Sequence, residues 1–129
     1  RDRKFKLITP KTALVKADAS LMRNLLGNLL ENAWKYTADR DPARIEFGSQ
    51  VDPQLGRVYF VKDNGIGFEA DEAANLFKPF YRTHASGEYS GMGIGLSVAA
   101  RIIERHNGRI WAEGERDEGA ALYFTLGME

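Results

Sequence analysis

On a helical wheel Asn28, Asn32 and Lys35 fall within about 60° of one another, at one border of the apolar arc formed by Leu21, Met22, Leu25, Leu26, Leu29, Leu30, Ala33 and Trp34. Asparagine is an indifferent helix former, and neither of these two stands near a helix start. Two amides and an ammonium at the rim of a buried stripe make either a solvated flank or one wall of a ligand site. The helix alone leaves both open. Downstream, Asp63-Asn64-Gly65-Ile66-Gly67 follows a strand-like run. An ionised carboxylate there accepts hydrogen bonds and donates none, so it suits the exocyclic amine of adenine and opposes the carbonyl of guanine. Read alone, the segment is more simply a tight Asp-Asn-Gly turn. Gly91, Gly93 and Gly95 alternate before the last long helical run, and with Gly87 they make four glycines in the nine positions 87–95. Exposed backbone N–H groups and a positive helix end cradle phosphate oxygens. A flexible loop entering a helix is the plainer reading. A dinucleotide-binding turn is excluded by context, because the helix follows an aperiodic loop and not a strand. Arg82 stands where the aperiodic stretch begins, within reach of a terminal phosphate or simply solvated.

These residues need elements to hold them. Period-2 alternation predicts short strands over 5–8 and 13–15, and helical spacing predicts a helix over 18–36 with Asp18 or Ser20 as its N-cap. Residues 43–50 and 57–61 read as an antiparallel hairpin around Asp52-Pro53-Gln54-Leu55-Gly56. A short helix is expected over 69–76 and a longer one over 94–106, stopped at Asn107-Gly108. Two β-rich runs, 109–113 and 120–126, complete the chain. Phe77 and Phe80 are expected to pack the base of the loop between them. Segregated helices and strands favour an α+β two-layer sandwich, a mixed and mostly antiparallel sheet covered on one face by three helices.

Composition narrows the function classes. The 129 residues fit one domain, 43% hydrophobic and 28% charged, with 18 Lys+Arg balancing 18 Asp+Glu. Zero net charge supplies no broad positive field for nucleic acid. The absence of cysteine removes thiol catalysis and thiolate metal sites. His84 and His106 lack zinc-ligand spacing and are read as a surface residue and a helix-end residue. No membrane-spanning segment is evident. The opening Arg1-Asp2-Arg3-Lys4, without an initiator Met or signal segment, suggests a piece of a longer protein.

The order Asn-rich helix, Asp-x-Gly-x-Gly, Phe77-Lys78-Pro79-Phe80, Gly-x-Gly-x-Gly-Leu resembles the catalytic ATP-binding domain of sensor histidine kinases, of the GHKL superfamily. The likeness runs from about residue 18 to 126. The tail from His106 to Trp111 and the segment 82–90 look most like phytochrome-type kinases. The resemblance implies the Bergerat ATP-binding fold with an ATP lid over about 69–92, and ATP and Mg²⁺ as cofactors. It implies that Asn32 holds Mg²⁺, an oxygen ligand suiting a hard cation, with Asn28 in the metal and phosphate shell. Lys35 would contact phosphates, Tyr36 would lie beside adenine, Asp63 would take its amine, and Gly65 and Gly67 would leave room for the base. Backbone N–H groups around Gly91, Gly93, Ile94, Gly95 and Leu96 would bind the phosphate chain, and Arg82 would steady the transferred phosphoryl group. Ile94, Lys78 and Trp34 depart from the common pattern without removing a proposed ligand.

The activity implied is transfer of the γ-phosphoryl group to a histidine on a separate dimerisation domain, and onward to a response-regulator aspartate. The domain is expected to be cytoplasmic, in a parent homodimer that is soluble or membrane-anchored, and to be a monomer when isolated. Related ATPases carry Glu where this chain has Asn28, and an amide is no base for water. A hydrolase using Glu31, an anti-sigma-type serine kinase and a silent nucleotide-sensing module are the rival readings.

Overall fold

The computed structural model describes residues 5–8, 19–79 and 95–127. Strands β1 (Phe5–Ile8), β2 (Ala43–Asp52), β3 (Gly56–Asp63), β4 (Ile110–Glu115) and β5 (Gly119–Thr125) form one sheet in the order β1-β2-β3-β5-β4. β1 runs parallel to β2 and the other neighbours pair antiparallel, so the sheet is mixed and mostly antiparallel as expected. Helices α1 (Ala19–Tyr36) and α2 (Gly95–Arg105) pack on each other, and α1 lies on β2 and β3. The third helix is a 3₁₀ turn, Ala70–Asn75, set against β4. The strand expected over 13–15 lies outside the described residues.

Alternation sorts the sheet into two faces. Ile45 and Phe47 of β2, Tyr59 and Val61 of β3, and Leu122 and Phe124 of β5 meet Leu25, Leu29 and Ala33 of α1 and Ala99, Ile102 and Ile103 of α2. Leu25 and Leu29 are wholly buried, each burial contributing ~2 kcal/mol. Register places Asp63 opposite Ile45 and Ala120, on this same helix-covered face. Phe77 packs against the core as expected; Phe80 is outside the described residues. On the far face Trp111 stacks on Tyr123 at 5.5 Å, and Lys62 Nζ lies 4.5 Å over the Phe60 ring.

The strands run longer than the hydrophobic pattern suggests. β3 extends through Lys62-Asp63 because ladder pairing continues past its last apolar residue, Val61, and β2 extends through the exposed Val51 and through Asp52, which pair with Arg57 and Gly56. The hairpin closes as expected: Asp52 Oδ1 accepts the N–H groups of Gln54 (2.8 Å) and Leu55 (2.9 Å), which holds its carboxyl below the usual range. Ser20 lies inside α1 and is not its N-cap; Asp18 is outside the described residues. Trp34 is 41% exposed, since it sits at the edge of the apolar arc and α1 faces the sheet through Leu25, Leu29 and Ala33. The buried Thr37 hydroxyl sits 2.9 Å from the Ala33 carbonyl and 3.1 Å from that of Trp34, ending α1. α2 ends at Asn107, which takes the left-handed conformation (φ 59°) as its type allows. His106 Nδ1 lies 2.9 Å from the Ile102 carbonyl at that end.

Candidate functional site

Two contacts fix the site along α1. At its middle, a Cβ added to Gly95 would lie 3.4 Å from Asn28 Oδ1, so the first residue of α2 stands against the asparagine side chain. At its end, the Tyr36 carbonyl accepts the Ile66 N–H at 3.0 Å and leaves no room for a Cβ on Gly65. Eight residues separate Asn28 from Tyr36, about 12 Å of helix. The half-buried Asn32 and Lys35 lie between them. The structure thus brings Asn28, at the middle of α1, to Gly95, and Tyr36, at its end, to the loop 63–67.

Asp63 closes β3 and is turned by its own loop: Oδ1 accepts the Gly65 N–H at 2.8 Å. Burial pushes its carboxyl up to about 6, against the N–H groups of Gly65 and Ala120 and the Arg40 guanidinium, which pull the other way. It is therefore largely ionised at neutral pH and able to accept. Gly65 and Gly67 are buried, and Gly67 has φ 64° with its α-carbon against the Glu115 and Gly119 carbonyls. Both glycines are needed because main chain occupies the space a side chain would fill.

Arg82, Gly91, Gly93 and Ile94, together with His84, lie outside the described residues. Among the described residues no group of three or more His, Cys, Asp or Glu could hold a metal ion. The donor set fits Mg²⁺ held by phosphates. Asn28 Nδ2 donates to Asn24 Oδ1 at 3.0 Å, which leaves Oδ1 of Asn28 directed at the start of α2.

Sequence reasoning missed four participants. Asn24 orients Asn28, and its signal was the i, i+4, i+8 run Asn24, Asn28, Asn32 on one helix face. Asn64 Oδ1 accepts the Arg44 N–H at 2.8 Å while its Nδ2 donates to the Pro42 carbonyl at 3.1 Å, tying the loop to β2. Arg40 and the turn between β4 and β5 clasp the loop from the far side, and main-chain carbonyls as partners leave no side-chain signature.

Among the described residues no helix is long and apolar enough to cross a membrane. The sequence profile of the family described as histidine kinase-, DNA gyrase B-, and HSP90-like ATPases matches residues 17–129. The methanogenesis regulatory histidine kinase FilI of Methanothrix harundinacea is 41% identical over 112 residues, 87% of this chain and 12% of that protein. Cyanobacterial phytochrome B of Nostoc sp. is 38% identical over 114 residues, 88% of this chain and 15% of that protein. The chain thus spans under one-sixth of the length of these relatives. The catalytic domain of histidine kinase ThkA superposes with a TM-score of 0.72 at 28% identity, covering 95% of this chain and 78% of that one. The mycobacterial sensor histidine kinase MprB gives 0.79 at 20% identity, over 95% and 82%, a likeness of fold. With its profile, motif order and fold in agreement, the chain belongs to the histidine kinase-, DNA gyrase B- and HSP90-like ATPase family, as a catalytic ATP-binding domain of the sensor histidine kinase type.

Proposed function

We propose that the chain binds Mg-ATP and presents its γ-phosphoryl group to a histidine on a dimerisation domain of the parent kinase, from which a response-regulator aspartate receives it. The observation that carries this is the two-ended site on α1, with Gly95 against Asn28 at one end and the Asp63 loop against Tyr36 at the other. That span suits a nucleoside triphosphate lying along the helix, base at Asp63 and phosphates at α2.

In this reading Asp63 accepts the adenine amine and Gly65 and Gly67 admit the base, with Tyr36 beside it. Backbone N–H groups at Gly91, Gly93, Ile94, Gly95 and Leu96 hold the phosphate chain. Asn32 would hold the metal with Asn28 beside it, and the metal would neutralise phosphate charge. A helix end contributes only about 1 kcal/mol toward an anion, so Lys35 and Arg82 carry much of the remaining charge. Residues 1–129 act as one catalytic module with a lid over about 69–92. The parent is a homodimer working on the cytoplasmic side, whether free or membrane-anchored.

Asn28 supports phosphotransfer over hydrolysis, because an amide takes no proton from water. The test supplies the parent's dimerisation domain separately with labelled ATP. Acid-labile, base-stable phosphate on its histidine is expected, with negligible phosphate release when that domain is omitted. Label on serine, or rapid release without an acceptor, would overturn the assignment.

A further inference from the structure

We propose that Arg40 is a positioning residue of the nucleotide site, a clasp that locks the base-reading loop between the end of α1 and the turn joining β4 to β5 and so sets which base Asp63 accepts. The proposal rests on the adenine-site reading of Asp63 given above. Arg40 follows α1 by four residues, and among the described residues its guanidinium hydrogen-bonds main-chain carbonyls: Nε donates to that of Asn64 at 2.6 Å, and Nη2 to those of Gly65 at 2.8 Å and Asp117 at 3.0 Å. A planar fork that reaches three carbonyls on two separate loops is geometry a lysine cannot reproduce.

The loop is also tied to both of its neighbours by its own main chain. Ile66 donates to the Tyr36 carbonyl and its own carbonyl accepts the Asp117 N–H at 2.7 Å. Gly119 presses on the Asp63 carbonyl and Gly67 on that of Glu115, so no side chain fits between the loop and the turn. With Arg40 gone, the carbonyls of Asn64 and Gly65 lose a charged donor within two residues of Asp63, and the loop is held to the turn less firmly, through the Ile66–Asp117 bond and main-chain packing. Arg40 acts on the carboxylate electrostatically as well. The elements packed around it bring Lys35 and Tyr36 from α1, Asp39 and Arg40 from the turn that follows, and Glu115, Asp117 and Glu118 from the β4–β5 turn. Its register partners Ile45 and Ala120 are uncharged, and among the charged groups of the described residues Arg40 lowers its proton affinity.

The test is calorimetric binding of ADP and GDP to the chain and to Arg40→Met, Arg40→Lys and Arg57→Ala between pH 5.5 and 8. Arg57 sits on β3, bonded to Ser49 away from the loop. The ADP/GDP ratio cancels phosphate titration, so its pH midpoint reports on Asp63. Arg40→Met is expected to lower the ADP preference about tenfold, as loss of charge-assisted bonds implies, and to move the midpoint up by roughly half a unit or more. Arg57→Ala is expected to match wild type. Unchanged preference and midpoint in Arg40→Met, or equal weakening of ADP and GDP, would overturn the proposal. Should circular dichroism show Arg40→Met unfolded, Arg40→Lys decides: retained charge keeps the midpoint, the lost fork lowers the preference, and full preference overturns it. Wild type without ADP preference would overturn the adenine reading itself, a result independent of any Arg40 variant.

Discussion

Asp63, the proposed base-reading residue, is also a liability to the fold. Its proton affinity is raised, so between the ordinary carboxylate value of 3.8 and about 6 the folded chain holds a proton that the unfolded chain releases. Stability from this group is therefore highest at low pH and falls as pH rises through that window, by roughly 3 kcal/mol once the carboxylate is fully ionised. An asparagine at this position would keep an oxygen for the Gly65 N–H without the buried charge. Asp63→Asn is accordingly expected to melt higher than wild type at pH 7, with a difference that grows between pH 4 and 6.5. Its amide also donates, so it tolerates the guanine carbonyl, and ADP affinity should drop about tenfold while the ADP/GDP ratio narrows. Melting curves across pH, paired with calorimetry, check both halves. A variant less stable than wild type at pH 7 would show that the ionised carboxylate is held by bonds stronger than its burial cost.

At the scale of elements, the helices were legible almost to the residue, because apolar side chains of α1 and α2 recur with the helical period and Asn107 ends the second. Strand ends were not, since Lys62 and Asp63 are polar yet still paired. Ala70–Asn75 is a 3₁₀ turn where the sequence predicts an ordinary helix, since six residues are too short for a period to separate the two. The glycines divide sharply by their surroundings. Gly27 is exposed in the middle of α1 with nothing within 4 Å of an added Cβ. Gly27→Ala should stabilise the chain by about 0.5–1 kcal/mol by removing backbone freedom from the unfolded state. At Gly65 the same methyl would collide with the Tyr36 carbonyl. Gly65→Ala should cost about 1–3 kcal/mol and abolish nucleotide binding, because the base loop must leave α1 to admit it. Denaturant titration of the two variants measures opposite signs; a stabilised Gly65→Ala would mean that the loop docks less tightly than its contacts require.

At the scale of the whole molecule, the proposed site is assembled from segments far apart in the chain: the asparagine face of α1, the loop 63–67, the start of α2 and the turn after Glu115. The motifs of the first three were visible because each carries side chains with a chemistry of their own. The fourth enters through carbonyls of Glu115, Asp117 and Gly119, and only the folded sheet order, which sets β5 beside β3, brings it there. A ligand bridging these segments binds the folded state alone, so at a hundredfold excess over its Kd Mg-ATP should stabilise the chain by about 2.7 kcal/mol, raising Tm by roughly 8–16 °C for a domain of this size. GTP, opposed by the Asp63 carboxylate, should give a much smaller rise at equal concentration, and chelating the metal should reduce that of ATP. The gain should also be uneven. Amide exchange is expected to slow around residues 63–67, 95–99 and 115–119, which meet at the site, and to stay unchanged in the hairpin tip 52–56, which hangs from the opposite end of β3. Protection spread evenly over the chain would mean that the nucleotide acts through global stability alone, while slowed exchange confined to 95–99 would place the phosphates correctly and remove the base from the Asp63 loop.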